Sequence, residues 1–238
     1  MSVLYAGTSG FAYAAWKPGF YPAKLASNRF LEYYAGRLNA VEINYTFRRL
    51  PSAATLEAWV KGTPPGFVFA LKANMRITHI LRLKNAAEAT ELFLRMIDPL
   101  RSARRLGPIL FQLPPNLKCD AALLADFLPN LPPDLRYAFE FRHASWLNES
   151  VYELLRARNV SLCLAESEKL EIPEVVTADF VYYRLRKPAY SPEERGEIAG
   201  RARELLAQGK DLYLFFKHEE TPEGALYAEE LLSMDVRD

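Results

Sequence analysis

Four charged residues, Lys72, Glu140, Arg142 and Arg184, lie at or near the C-terminal ends of short apolar runs that have the composition of strands. In each run the charged residue alternates with bulky apolar neighbours, so it points away from the apolar face of the strand. A polar group buried without a partner costs several kcal/mol, so we expect these side chains to face one another, water or a ligand. Guanidinium and ammonium groups bind carboxylates and phosphates. The residue types therefore predict a site for an anionic ligand.

Three further polar residues, Glu42, Asn44 and Gln112, end other strand-like runs and belong to the same candidate site. Glu166 and Lys217 also follow such runs but fit the alternation less well. Two interpretations stay open. The cluster is either a self-neutralising ion-pair network or a functional site, since perturbed charges are enriched at functional sites without proving one.

Under the functional interpretation we assign catalytic roles to Glu140, His143, Lys72 and Glu42. Glu140 or His143 would act as the general acid–base, and Lys72 would assist anion binding or form a Schiff base. Substrate binding is assigned to a second set of residues: Arg142, Arg184, Gln112, Asn44, His79, Trp16 and Trp146.

The three histidines, His79, His143 and His218, are too far apart in sequence for a helix-borne metal motif. The neighbouring cations would disfavour a divalent ion. We therefore expect no metal and no cofactor.

Two loops have unusual compositions. Residues 9–27 contain five aromatic residues, Trp16 among them, and residues 74–84 contain His79 and several cations but no acid. Aromatic rings interleaved with cations can hold a base or sugar beside a phosphate, so a nucleic-acid partner stays open. The alternative is that the aromatic rings only pack on the rim of the fold.

Strand-like and helix-like segments alternate along the whole chain, which is typical of α/β proteins. Asn85, Ser191 and Thr221 are predicted to begin helices, and Gly62 and Gly209 to follow helix ends. Residues 167–179 predict only a reduced helix after the sixth strand. The predicted strands are Leu4–Thr8, Ala40–Asn44, Phe67–Lys72, Pro108–Gln112, Arg136–Arg142, Val160–Glu166, Phe180–Leu185 and Leu212–Lys217.

Eight such strands within 238 residues favour a single (β/α)8 TIM barrel over an open doubly wound sheet. Gly7-Thr8-Ser9-Gly10 is not the glycine-rich turn of dinucleotide-binding sheets. We predict one domain spanning residues 1–238, with the site at the C-terminal mouth of the barrel.

The bulk composition gives no strong indication of a partner. The formal net charge is +1, which does not by itself call for nucleic acid or an anionic membrane. The sequence contains no signal-peptide pattern, no apolar run long enough to span a bilayer, and no paired cysteine motif. We expect a cytoplasmic protein with no membrane partner; the sequence does not indicate an oligomeric state.

Several motifs in order resemble the YecE-like family, also called domain of unknown function 72. The strongest block is Phe139-Glu140-Phe141-Arg142-His143 with Ser145-Trp146. The others are Gly7–Gly10, Trp16 with Phe20–Pro22, Val41–Asn44, Thr46-Phe47, Phe69–Lys72, Ile77–His79 and Leu110–Pro115. The resemblance implies a (β/α)8 barrel of the kind found in sugar isomerases and abasic-site endonucleases, and no established activity. The family often has Asp at position 166 and Asn-Asn near 217–218, where this chain has Glu166 and Lys217-His218.

The sequence favours a metal-independent enzyme, a hydrolase or a lyase, acting on a small phosphate- or carboxylate-bearing substrate. Three alternatives stay open. One is a metal-dependent phosphodiester hydrolase, by analogy of fold alone. Another is a glycoside hydrolase that uses Glu42 and Glu140. The third is a non-enzymatic protein that binds nucleic acid or a partner through residues 74–84.

Overall fold

The computed structural model of the chain describes residues 2–234. Eight parallel strands pair in chain order, and the last pairs with the first, which closes a barrel. The strands are β1 (Leu4–Ser9), β2 (Ala40–Ile43), β3 (Val68–Lys72), β4 (Leu106–Gln112), β5 (Tyr137–Glu140), β6 (Ser161–Ala165), β7 (Phe180–Leu185) and β8 (Asp211–Phe216). The predicted (β/α)8 barrel is confirmed, and the open sheet is ruled out.

Helices on the outside connect most of the strands. They are α1 (Phe30–Ala35), α2 (Tyr45–Arg48), α3 (Ala53–Lys61), α4 (Ala87–Met96), α5 (Asp98–Ser102), α6 (Ala121–Phe127), α7 (Glu149–Ala157), α8 (Pro192–Ala207) and α9 (Glu223–Ser233). A π-helical turn, Arg76–Ile80, follows β3, and 3-10 turns form at Ala14–Trp16, Ser27–Arg29, Leu128–Asn130 and Ala144–Trp146.

The predicted strand ends differ from the structure by up to two residues. The fifth strand ends at Glu140, not Arg142, and the sixth ends at Ala165, not Glu166. β5 and β6 pair over only two residue pairs. After β5 the chain leaves the sheet sooner than predicted and turns at His143.

Some helix boundaries follow the predicted signals. Ser191 and Glu194 form the capping box that starts α8. Gly209 follows α8 with a φ of +78°, the left-handed conformation that glycine adopts without strain. Gly62 follows α3 as its C-terminal cap.

Two predicted helix starts are wrong. α4 begins after Ala86, and Asn85 is held in a left-handed conformation in the preceding turn, so it does not cap the helix. α9 begins at Glu223 with Pro222 in the capping position, one residue later than Thr221 would place it. In both cases the preceding loop conformation decides where the first helical hydrogen bond forms.

The segment between β6 and β7 contains no helix anywhere in residues 166–179, all of which the structure describes. The predicted reduced helix is therefore wrong. Thr177 anchors the segment instead, since its Oγ1 accepts a hydrogen bond from the backbone of Leu162 and donates one to Val160. No helix is therefore inserted between β6 and β7, although α7 contacts β6.

Apolar side chains form two layers, as the alternation predicts. Small residues such as Ala40, Ala70 and Ala138 face the axis and pack with Tyr182 and Phe215. Most of the larger apolar residues lie between the strands and the helices. Small inner residues leave room at the C-terminal end of the barrel for polar side chains.

Candidate functional site

Polar side chains from six of the strands, or from just beyond their ends, meet on the barrel axis at the C-terminal end. The strand register places Ser9 beside Glu42 and Gln112 beside Glu140, all with inward parity. We call this set the mouth cluster; it consists of Ser9, Glu42, Lys72, Gln112, Glu140, Arg184 and Arg186. It includes five residues predicted from sequence to belong to one site: Glu42, Lys72, Gln112, Glu140 and Arg184.

Arg184 is the centre of the mouth cluster. Its side chain is only 3% exposed and bridges two buried carboxylates, with Nη2 2.7 Å from Oε1 of Glu42 and Nη1 2.6 Å from Oε2 of Glu140. Burial disfavours a charged guanidinium, but the two carboxylates outweigh it and the pKa of Arg184 rises. The two carboxylates are therefore held apart by a permanent cation.

Glu42 is fully buried and accepts hydrogen bonds from several sides. The Tyr182 hydroxyl donates to its Oε2 at 2.8 Å, and the Ser9 hydroxyl donates to its Oε1. Asn44 donates to Ser9 Oγ at 2.6 Å. Burial raises the pKa of Glu42, but Arg184 and these donors outweigh it, so the net shift is downward. Tyr182 and Ser9 were not among the candidate residues. Tyr182 shares the strand parity of Arg184, and Ser9 that of Gly7, which would have indicated that both side chains face the barrel axis.

Glu140 is the second buried carboxylate and binds a second arginine. Nη2 of Arg186 lies 2.9 Å and 3.0 Å from the two carboxylate oxygens, and Gln112 Nε2 donates to Oε1 at 2.9 Å. Burial raises the pKa of Glu140, but Arg184 and Arg186 outweigh it and hold the pKa at about 2. Arg186 was not among the candidate residues because it follows the end of β7, yet it shares the parity of Arg184.

Lys72 is the charged member of the mouth cluster that forms no ion pair with a carboxylate within the described residues. Its Nζ donates to Gln112 Oε1 at 2.8 Å and lies 4.2 Å from the centre of the Phe47 ring. Burial, aided by the charge of Arg184, lowers the pKa of Lys72 to about 8. The ammonium group of Lys72 can therefore donate further hydrogen bonds, and a minor fraction of the amine is neutral near pH 7.

Arg142 and the two nearby histidines lie at the edge of the mouth cluster. Arg142 Nε is 3.9 Å from Glu140 Oε1, and its side chain is 44% exposed. His79 stands edge-on to Phe47, and burial with the charge of Lys72 lowers its pKa. His143 Nδ1 contacts the Ser145 hydroxyl at 2.8 Å, in the turn after β5.

Trp16 and Trp146 are not in the mouth, which corrects their assignment to substrate binding. Both side chains are 0% exposed. Trp16 packs against Phe20 and Tyr21, and Trp146 stacks on Phe141. Their rings consolidate the loops on the rim, as the packing interpretation predicts.

Glu166 and Lys217 also lie apart from the mouth cluster. Glu166 accepts hydrogen bonds from the backbone N–H groups of Arg186 and Lys187 and from the Tyr190 hydroxyl. Lys217 is exposed and lies 3.8 Å from Glu219. Glu166 shares the parity of the outward-facing leucines of β6, so its side chain does not point towards the barrel axis.

The described residues contain no ready-made cluster of metal ligands. Within residues 2–234, no three His, Cys, Asp or Glu side chains converge as a metal site. Glu42 and Glu140 are both occupied by Arg184. In the same residues, no helix is both long and apolar enough to cross a bilayer.

A cavity of about 800 Å³ adjoins the mouth cluster. Arg142 and Arg186 line its inner end, and the segment after β6 forms its outer wall. This volume falls within the range of small-molecule sites.

Comparison with known proteins places this barrel in a family. The model of the family described as "Protein of unknown function DUF72" matches residues 5–237. A DUF72 family protein of Thermotoga maritima has 30% sequence identity and a TM-score of 0.86, with 98% of each chain covered. A DUF72 family protein of Enterococcus faecalis has 19% identity, a TM-score of 0.76 and 99% coverage of each chain, which shows the common fold.

A curated relative matches part of the chain. The UPF0759 protein YunF of Bacillus subtilis is 29% identical over 157 residues, which are 63% of this chain. The match spans 55% of the length of that relative. The motif resemblance seen in the sequence is thus confirmed by a match over nearly the whole chain: the protein belongs to the DUF72 family.

Proposed function

We propose that this protein is a metal-independent enzyme that binds a small phosphate- or carboxylate-bearing substrate at the mouth cluster, with Lys72 as its reactive group. The observation that carries the proposal is the charge balance there. Two carboxylates, Glu42 and Glu140, face four cations once Arg142 at the edge is included. Two positive charges are therefore left for an anion when Lys72 is protonated.

Arg142 and Lys72 are the groups available to that anion. Arg184 is sequestered between two carboxylates, whereas Arg142 is half-exposed and only 3.9 Å from its nearest carboxylate oxygen. Lys72 donates one N–H to the neutral side-chain oxygen of Gln112, and its other two N–H groups can bind an anion. A substrate oxyanion between them would receive charge-assisted hydrogen bonds from both sides.

Lys72 also suits the chemical step. With a pKa of about 8, roughly a tenth of its amine is neutral at pH 7. A neutral amine can accept a proton from a substrate carbon or attack a carbonyl carbon. Glu140, whose pKa is about 2, is a fixed anion at neutral pH. In this proposal Glu140 and Glu42 position the cations, and proton transfer falls to Lys72 or to His143.

The metal-dependent alternative requires a different arrangement of the same groups. Glu42 and Glu140 would have to release Arg184 before either could bind a divalent ion. That exchange would leave a guanidinium buried without a partner, which is costly. The donor set therefore favours catalysis without a metal.

The nucleic-acid alternative depends on the turn after β3. Arg76 and Lys84 are exposed there, while Arg82 already donates to Asn116 at 3.3 Å. Two cations form only a small electrostatic surface for nucleic acid, because nucleic-acid binding usually neutralises several phosphates. Binding to a fluorescent single-stranded DNA that falls steeply with salt, and is unaffected by Lys72→Met, would favour this alternative.

Calorimetric titration with inorganic phosphate and with pyruvate tests the anion site. We expect Arg142→Ala and Lys72→Met each to weaken binding of both probes by about tenfold, as loss of a charge-assisted hydrogen bond implies. Lys61→Met, at the exposed end of α3, should bind as the wild type does. Unchanged affinity in Arg142→Ala would contradict the proposal.

Reductive trapping with pyruvate tests the reactive amine. The Lys72 nitrogen would bond to the keto carbon with loss of water, and cyanoborohydride would supply the two electrons that reduce the resulting C=N bond. Mass spectrometry of the digest should place the adduct on Lys72 and not on Lys61. Binding without an adduct would assign Lys72 to proton transfer; neither binding nor adduct would overturn the proposal.

A further inference from the structure

A groove occupies the place where the barrel pattern calls for a helix. Residues 166–179 lack a helix within the described chain, so the outward side chains of β6 and β7 are left without helical cover at their upper ends. The groove has a volume of about 800 Å³, and its lining includes outward residues of β6 and β7, Ala165 at the end of β6, and Arg186 of the mouth cluster. Its apolar lining residues are Leu164, Leu170, Ile172, Tyr183, Leu185 and Pro188.

Two of the four carboxylates in the groove wall, Glu166 and Glu174, are satisfied within the protein. Glu166 accepts hydrogen bonds from two backbone N–H groups and from Tyr190. Glu174 accepts one from the Tyr183 hydroxyl at 2.8 Å and pairs with Arg201. Glu166 and Glu174 therefore make no demand for a cation. Glu168 and Glu171 are exposed at the groove wall, as are Lys169 and Lys187, and apolar atoms make up the larger part of the lining surface.

The inner end of the groove has the opposite character. Arg142 and Arg186 both line it, and both belong to the region of surplus positive charge around Glu140. The Nε of Arg186 is buried and has no hydrogen-bond partner among the described residues. An occupant would thus meet Arg142 and Arg186 in one part of the groove, and apolar side chains interspersed with exposed charged groups in the rest.

We infer that the groove binds the apolar body of an amphipathic acid whose carboxylate or phosphate lies against Arg142 and Arg186. The inference rests on the proposed function for the acidic end and adds the chemical class of the substrate: an elongated acid with an alkyl chain or ring system. Continuity with the mouth cluster and the charge at one end favour such a ligand over a protein segment. The volume also falls within the range of small-molecule pockets.

Calorimetric titration with butanoate, hexanoate, octanoate and decanoate tests the inference. Burial of each added methylene in the groove should tighten binding by up to about fourfold. Leu170→Glu places a charge on the partly exposed wall and should abolish this dependence on chain length while butanoate binds as before. Leu92→Glu makes the same substitution on the exposed face of α4 and should retain the wild-type dependence.

The two proposals fail in different ways. The groove inference would be overturned if wild-type affinity does not rise with chain length. It would also be overturned if Leu170→Glu shows the same chain-length dependence as Leu92→Glu. If affinity rises with chain length, and this rise is lost in Leu170→Glu but unchanged in Arg142→Ala, the apolar groove is supported and the placement of the acidic end against Arg142 is overturned. Absence of binding for every acid in the series would overturn the groove inference, and the phosphate titration would decide the mouth cluster separately.

Discussion

Replacing Lys72 with methionine should stabilise the protein at neutral pH. The pKa of Lys72 in the folded protein is about 8, against an ordinary value of 10.5, so protonating it in the fold costs about 3 kcal/mol. Methionine removes that cost and keeps most of the side-chain length. The lost hydrogen bond to Gln112 and the contact with Phe47 offset part of the gain. The expected net gain at pH 7 is about 1–2 kcal/mol.

The pH dependence of this gain is the sharper measurement. The unfolded chain holds the extra proton between pH 8 and 10.5, so the wild type gains stability as the pH rises through that window. Lys72→Met lacks this gain, and its advantage over the wild type should shrink by about 2.5 kcal/mol between pH 7 and pH 10. A constant packing or hydrogen-bond difference cannot mimic the change, since it would shift both pH values equally.

Urea unfolding at a series of pH values, followed by tryptophan fluorescence, gives the free energy of unfolding of both proteins. Lys61→Met serves as the matched control, since Lys61 is exposed at the end of α3. Its difference from the wild type should not vary with pH. A Lys72→Met variant that behaves in the same way would refute the reasoning that Lys72 is held in a partly desolvated, uncompensated state.

Three other substitutions test the framework of the site. Arg184→Ala leaves Glu42 and Glu140 buried without their shared cation, and urea unfolding should show a loss of about 3–5 kcal/mol. Glu140→Gln removes a carboxylate whose pKa is about 2 in the fold and 4.5 ordinarily; circular dichroism should show the wild type losing stability relative to the variant as the pH falls from 5 to 2. Gly7→Ala places a methyl group in overlap with the carbonyl oxygen of Ala40, and its urea midpoint should correspond to a loss of about 3 kcal/mol or more.

Two of these predictions, for Arg184→Ala and Gly7→Ala, have a control within the chain. Arg29→Ala breaks an exposed pair and should change stability by less than about 1 kcal/mol. Gly196→Ala, in α8 with no atom near the added methyl, should be neutral or stabilising by about 1 kcal/mol. An Arg184→Ala variant as mild as Arg29→Ala, a Glu140→Gln variant with the wild-type acid profile, or a tolerated Gly7→Ala would each contradict the geometry described above.

The local signals predicted the strands better than the segments between them. All eight strands were found, because apolar alternation depends on nearest neighbours in the chain and survives in any barrel or sheet. The end of β5 and the starts of α4 and α9 were misplaced, because they depend on loop conformations. Asn85, for example, resembles a helix cap in sequence but occupies a left-handed turn in the structure.

Parity likewise predicted most of the mouth cluster. Glu42, Lys72, Gln112, Glu140 and Arg184 end neighbouring strands with the same orientation, and the closed barrel brings them together. Parity could not show that Trp16 and Trp146 are buried, since a loop has no fixed period. Arg186 shares the parity of Arg184 but lies beyond the end of β7, so the alternation within the predicted strand did not include it.

By itself, the sequence determined the fold class, the family and the inward set of polar residues, because these follow from repeated local alternation and from motifs in fixed order. Only the tertiary structure decided which charges pair. Arg184 binds two carboxylates that precede it by 142 residues (Glu42, from β2) and 44 residues (Glu140, from β5), and no spacing rule predicts these pairings. Lys72 is left to Gln112 for the same reason. Burial and the distances among these groups, which set their pKa values, exist only once the barrel has closed.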